Sequence, residues 1–344
     1  MPPDASTSSP AASHTFLGLR PVVAGTACCA VSALGYTGAH ICMKRINELG
    51  VDSMWAVANK EFVTVAVVGP WLLCQVLRGQ RIVITRRAII ALAAVGLAVQ
   101  MAANLGLQWA FGVVGLAVAI PAMFAAMLTG SGLLGRLALG EGVPKRSITA
   151  IGLLIVALVL LGLATHAAAR APETSADAPI EAPIIPEAEP FWFFVGLAAC
   201  CMAGTIFALL TITIRTAVTA NTSMAAVVLI TTAMGVVSLG PLSLLRLGPE
   251  KLLATSGEQA VWMLAAGLLN LIAFLAITKG LHLTTVLHAN VLNASQVAMA
   301  ALAGLLFFDE PLTVWLVLGV SLTIVGIVTF ERPEQSDQHA DQHA

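Results

Sequence analysis

The chain has 344 residues, 58% hydrophobic and 10% charged, with a net charge of −1. Soluble domains carry roughly 25% charged residues, so this composition excludes a water-covered surface and makes lipid the main solvent. The near-zero charge also excludes the basic footprint of a nucleic-acid binder.

In chain order, residues 1–18 are polar and lack a positive n-region, which predicts a disordered cytoplasmic start rather than a cleaved signal peptide. A membrane-spanning helix needs about 20 mostly apolar residues. Ten segments qualify: 21–43, 52–76, 87–110, 113–137, 147–167, 191–214, 224–245, 260–281, 285–308 and 312–330. The uncharged stretch 88–135 is too long for one span. Its break is expected at Phe111-Gly112-Val113-Val114-Gly115, because glycine favours a turn. Residues 168–190 are rich in Pro and Ala and carry five acidic residues, the mark of a solvated linker. The linker divides the chain into halves 19–167 and 191–330, and the polar tail 331–344 repeats DQHA. The tail histidines read as polar tail residues rather than metal ligands. The six cysteines lie in apolar surroundings without metal-ligand spacing and read as packing residues. Counting Lys and Arg near the span ends favours both termini in the cytoplasm and a multi-pass cell membrane protein, in the inner membrane of a Gram-negative cell.

The halves resemble each other at an offset of about 170 residues, a signal of internal duplication. Arg45, Ser53 and Met54 match Arg215, Ser223 and Met224. Gly69-Pro70 matches Gly240-Pro241, Gln100 matches Asn270, and Gly140-Glu141 matches Asp309-Glu310. A unit of five helices is odd, so the second copy must enter the membrane from the opposite side. The expected fold is therefore all-α and integral to the membrane, with ten transmembrane helices in two inverted five-helix repeats. Inverted repeats recur in transporters, whose two halves exchange conformations to open the site on alternate sides.

The stretch ALAGLLFFDEPLTVWLVLGVSLTIVGIVTF at 301–330 combines an apolar helix, Glu310-Pro311, and the glycines Gly319 and Gly326. It resembles the end of an EamA-type repeat of the drug/metabolite transporter superfamily. LALGEGVPKRSITAIGLLIVALVLLG in the first half is a looser version, and GVDSMWAVANKEF resembles the start of the family's second helix. The resemblance covers nearly all of 20–330. It implies ten helices, cytoplasmic termini, a central substrate cavity, and fifth and tenth helices at the periphery.

Polar groups within a membrane are costly and face a cavity or a partner helix. In the first span Ser32, Tyr36, His40 and Lys44 are spaced by four, which places them on one helix face. Gln100, Asn104 and Gln108 repeat the spacing in the third span, and Asn270 continues it in the eighth. The ninth carries His288, Asn290, Asn293 and Gln296. These stripes either line a substrate pathway or bond helix to helix. Lys60 and Glu61 lie a third of the way along the second span. Adjacent residues diverge by about 100° on a helix, so the two are not expected to pair simply with each other. Lys60 is a candidate for attracting an anionic substrate group, with snorkelling as its alternative. Glu61 is the proton-coupling candidate, since removal from water disfavours the charged form of a carboxyl group. Its alternative is a fixed pair with a base such as Lys44. Glu141 and Glu310 precede the fifth and tenth helices and read as caps on the positive ends of those helices.

The sequence thus favours a carrier for a small organic solute (metabolite, amino acid or drug, moved outward), acting by alternating access. No cofactor or metal is expected, and the expected partners are the solute, the bilayer and, where the chain forms a homodimer, a second copy. An exchanger of organic phosphates or nucleotide sugars would need more cations in the cavity. A non-transporting structural membrane protein is the alternative of another class. The sequence has no HExxH, GxSxG or P-loop pattern, so neither hydrolytic nor nucleotide-driven chemistry is indicated.

Overall fold

The computed structural model describes residues 21–80, 82–139, 190–284, 286–310 and 312–331, with positions 149, 152, 153, 156, 157 and 160. Regular structure among the described residues is all helical. Inside lipid no water is available to backbone groups, so a helix, which satisfies its own N–H and C=O, is what these apolar runs must form.

Helix α1 spans Pro21–Glu48 and α2 Ser53–Leu77. Helix α3 spans Arg86–Val113 and is π-helical over Val99–Asn104. Next comes α4, Leu116–Leu139. In the second half α5 spans Pro190–Thr219, α6 Met224–Leu253 and α7 Gly257–Leu283. Three shorter helices complete the chain, α8 at Val286–Asn293, α9 at Gln296–Phe307 and α10 at Val314–Glu331. Polar residues set the starts. The Asp52 side chain accepts from the N–H groups of Met54 and Trp55 ahead of α2, and Ser256 and Gln259 form a reciprocal capping box ahead of α7.

Seven of these helices are long and apolar enough to cross a membrane. Their outward side chains are large and apolar, with Leu245 84% and Leu253 85% exposed, a surface suited to lipid and not to water. The predicted break between the third and fourth spans falls at Val114-Gly115, where Gly115 takes φ +77°, a conformation glycine adopts without strain. The predicted ninth span, 285–308, is instead two helices, α8 and α9, meeting at Ala294-Ser295. Ser and Asn compete for backbone groups, so the Asn293-Ala294-Ser295 run weakens the helix there. The linker up to residue 189, Glu141, most of the predicted fifth span and both termini lie outside the described residues.

Short connections return the chain to the face it left. The turns 77–86, 219–224 and 283–286 share one face, where Ser223 N–H donates to Val83 C=O. The turns 48–53, 113–116, 253–257 and 307–314 share the second face, where the Gln259 amide donates to Leu49 C=O at 3.1 Å. Helix α1 packs along α7, α2 along α6, and α5 along both α3 and α4, while α4 also meets α9. Small residues permit the closest crossings. At Gly204 the backbone of α5 lies directly on that of α4.

Candidate functional site

Two apolar cores fill the bundle. One is built around Met43, Ile46, Phe111, Leu116 and Phe124, the other around Leu92, Ile214, Val228 and Leu281. A cavity of about 110 Å³ is lined by members of both, including Met127 from the first and Ile214, Phe274 and Leu281 from the second. Its polar lining comes from eight helices: Tyr36 and His40 on α1, Lys60 and Glu61 on α2, Gln100 and Asn104 on α3, Thr211 on α5, Thr231 on α6, Asn270 on α7, Asn290 and Asn293 on α8, and Gln296 on α9.

Lys60 and Glu61 pair with each other across 3.1 Å, against the sequence expectation. A helix sets only the directions of their Cβ atoms, and the four-carbon lysine stem is long enough to bend across the intervening angle. Snorkelling is not what Lys60 does either, because its side chain is only 10% exposed. The expected alternative partner of Glu61, Lys44, is occupied elsewhere and pairs with Glu310 at 3.7 Å. A chain of contacts leads on from the Lys60–Glu61 pair. The Asn104 amide donates to Glu61 Oε1 at 3.4 Å and to Gln100 Oε1 at 2.7 Å, and the Gln100 amide donates to Thr231 C=O at 3.4 Å.

Gln108 does not share this site. It is buried and donates to Met43 C=O at 3.0 Å, tying α3 to α1. It lies further along α3, level with Met43 and past the cavity-lining His40 of α1, so it falls beyond the cavity toward the second face. Gln100 and Asn104 lie within the π-helical stretch, and Gln108 follows in the regular helix beyond it. The His288 side chain lies outside the described residues.

On α8 and α9, the Asn290 amide donates to Ser131 Oγ at 3.2 Å, and Ser32 Oγ donates to Asn293 Oδ1 at 3.2 Å. Three buried atoms of cavity residues have no hydrogen-bond partner among the described residues: His40 Nδ1, Asn290 Oδ1 and Gln296 Oε1. Buried polar groups are nearly always satisfied, so such atoms mark where a polar solute can bind. Sequence reasoning missed Thr211, Thr231 and Ser131. Threonine and serine are common in apolar helices, where they bond back to a carbonyl one turn earlier, as Thr211 does to Phe207 C=O at 2.7 Å.

Gly235 on α6 leaves the space that Glu61 and Gln100 occupy. A Cβ there would stand 2.8 Å from Glu61 Cγ and 2.9 Å from Gln100 Cδ. A Gly235→Ala variant should therefore fold, because both neighbours are flexible side chains, yet displace the polar chain. If this cavity carries solute, transport is expected to fall roughly 10-fold in a protein that still unfolds cooperatively, its midpoint lowered by the about 1–3 kcal/mol that overpacking costs. Unchanged transport in reconstituted vesicles would contradict this role for the network.

Known proteins share the same outline. A solved structure described only as the crystal structure of a protein superposes with a TM-score of 0.58 at 14% identity, over 89% of this chain and 96% of its own, a likeness of fold. No curated protein matches the chain. Residues 194–331 match the family model described as EamA-like transporter family. The second half of the chain is thus similar to the EamA-like transporter family, a part of the drug/metabolite transporter superfamily.

Proposed function

We propose that the protein is a carrier that moves a small polar organic solute through this cavity by alternating access, and that it is built from ten transmembrane helices in two inverted five-helix repeats. The observation that carries the reading is a buried, amide-rich cavity between halves whose contacts interchange. Exchange α1 with α5, α2 with α6, α3 with α7, and α4 with the α8–α9 pair. The packing of α1 on α7 then becomes that of α5 on α3, while α2 on α6 and α4 on α9 map onto themselves. Polar contacts obey the same exchange. Lys44 on α1 donates to Phe111 C=O near the end of α3 at 2.9 Å, and Arg215 on α5 donates to Leu281 and Thr284 C=O at the end of α7. Two halves that interlock this way can trade packings, which is what alternating access requires.

The cavity is smaller than the roughly 300–1,000 Å³ of sites for drug-sized ligands, which supports a small metabolite or amino acid over a bulky drug. Its lining holds one lysine, already paired with Glu61, and this weighs against organic-phosphate or nucleotide-sugar exchange. The Lys/Arg distribution supports both termini in the cytoplasm, in the cell membrane or, if the cell is Gram-negative, its inner membrane, and the direction we propose is export. Reconstitution into vesicles with a panel of radiolabelled metabolites tests the reading, and failure of every class to move faster than through protein-free vesicles would refute it.

Glu61 is the residue we propose for proton coupling, because it is a carboxylate on the cavity wall at 2% exposure. Glu61→Gln keeps the shape and removes the site of protonation. The variant is expected to exchange solute across the vesicle but no longer to accumulate it against a gradient when a pH difference is imposed. Accumulation equal to the wild type would remove Glu61 from the coupling.

A further inference from the structure

The sequence predicts that Glu310 caps the helix after it. Its carboxylate instead accepts from Leu116 N–H at 2.7 Å and Ala117 N–H at 2.9 Å, which are the first turn of α4 in the other half of the chain. Asp309 takes φ +50° and turns the chain so that Glu310 N–H donates back to Gly304 C=O at 3.0 Å, aiming the side chain across the gap. Two glycines form its seat. A Cβ on Gly115 would lie 2.9 Å from Glu310 Oε1, and one on Gly304 would collide with Oε2. Lys44 completes the assembly with its ammonium 3.7 Å from Glu310 Oε1, donating to Phe111 C=O and lying 5.7 Å over the Phe308 ring.

The place of this assembly gives it a meaning beyond capping. Tyr36, His40 and Lys44 run along one face of α1 toward the second face of the bundle. The first two line the cavity, His40 packs edge-on against Phe111 at 5.6 Å, and Lys44 is one turn beyond. Phe111 thus stands between His40 and the second face, Leu116 and Ala117 belong to the same buried core, and Glu310 ties that core layer to the opposite half.

We propose that Glu310, with Lys44, is the latch that holds the pathway shut on the second face and must release once in each transport cycle. All three partners of the Glu310 carboxylate, Leu116, Ala117 and Lys44, belong to the first half, so any motion that parts the halves on this face must break two charge-assisted hydrogen bonds and an ion pair at once. The closed state is stabilised by that set and the open state is not. The latch rests on the carrier reading, and its test is arranged so that the two can fail separately.

The test uses the full chain with its six cysteines replaced, Tyr36→Cys as reporter in the cavity, and a membrane-impermeant maleimide applied to vesicles of each orientation. Gln80→Cys and Ala254→Cys, in turns on opposite faces, identify which face the reagent meets. Loss of hydrogen bonds to a charged group corresponds to a shift of roughly 10–100-fold in the closed-to-open ratio. Glu310→Gln, which offers one acceptor in place of two, is expected to raise the rate of labelling from the second face by that factor, with no such rise from the first. Gly304→Val, which evicts the carboxylate and keeps its charge, should do the same. Lower thermal stability with the second-face rate unchanged in both variants would make Glu310 a structural cap and overturn the latch. Second-face labelling that rises while the wild-type chain, its cysteines and Tyr36 intact, moves no solute in vesicles would uphold the latch as a closure and overturn the carrier.

Discussion

Gly204→Val is expected to abolish the folded protein. At this position α5 crosses α4, and a Cβ would run into the Met123 carbonyl and stand 2.8 Å from Met127 N and 2.9 Å from Ala126 Cβ. Two of these three atoms are backbone and cannot swing aside as a side chain does. Relief requires the helices to move apart, which empties the contacts of Ala203 and Ala208 with the core they share with Phe124 and Leu128. Overpacking costs about 1–3 kcal/mol in soluble cores, and a clash against backbone belongs at or above the top of that range. Native proteins hold only about 5–15 kcal/mol in all. Gly204→Ala should be intermediate, with a lowered midpoint but a surviving peak on size exclusion in detergent. A valine variant that is monodisperse and melts with the wild type would show that the crossing is looser than described.

The second large effect belongs to the buried ion pair. Removing one partner leaves the other charged without compensation, which costs about 3–5 kcal/mol. Replacing both by apolar groups of similar size is often neutral. Glu61→Leu should therefore be much less stable than the wild type, and Lys60→Met/Glu61→Leu should recover most of the loss. Transport should be absent from both, because the double variant restores packing but leaves the cavity without its charges. Thermal unfolding and vesicle uptake on the same preparations separate the two. A double variant as unstable as the single would mean that the pair is held by its surroundings, and one that transports would take the pair out of the site.

Much of the architecture can be read from the sequence because the bilayer imposes one rule. Apolar runs of about 20 residues must become helices, and the break at Gly115 and the caps at Asp52 and Ser256 arise from residue chemistry alone. The polar stripes are legible for the same reason, since an amide in lipid must face something polar. Periodicity carries no relation between helices and no departure from regular winding. Spacing by four groups Gln108 with Gln100 and Asn104, but how far along α3 the cavity reaches depends on the neighbouring helices, and Gln108 lies beyond its end. Glu310 is recognisable as a cap, yet the identity of the capped helix depends on how the halves meet, which spacing within one segment does not record. Cβ directions argue against the Lys60–Glu61 pair, because they ignore the reach of a lysine. Gly235 gives no signal, because its role is the room it leaves for side chains on two other helices.

The position of that pair on consecutive residues has an electrical consequence. An elementary charge carried across the membrane exchanges about 2.3 kcal/mol with every 100 mV of potential. Because Lys60 and Glu61 ride on one helix, they move together, and the displaced charge of the site sums to zero whichever way the halves rock. The voltage then has no lever on the empty site. At the cavity it acts only through what the site has taken up, a charged solute or a proton on Glu61, so whatever potential dependence arises there reports the cargo and not the Lys60–Glu61 pair.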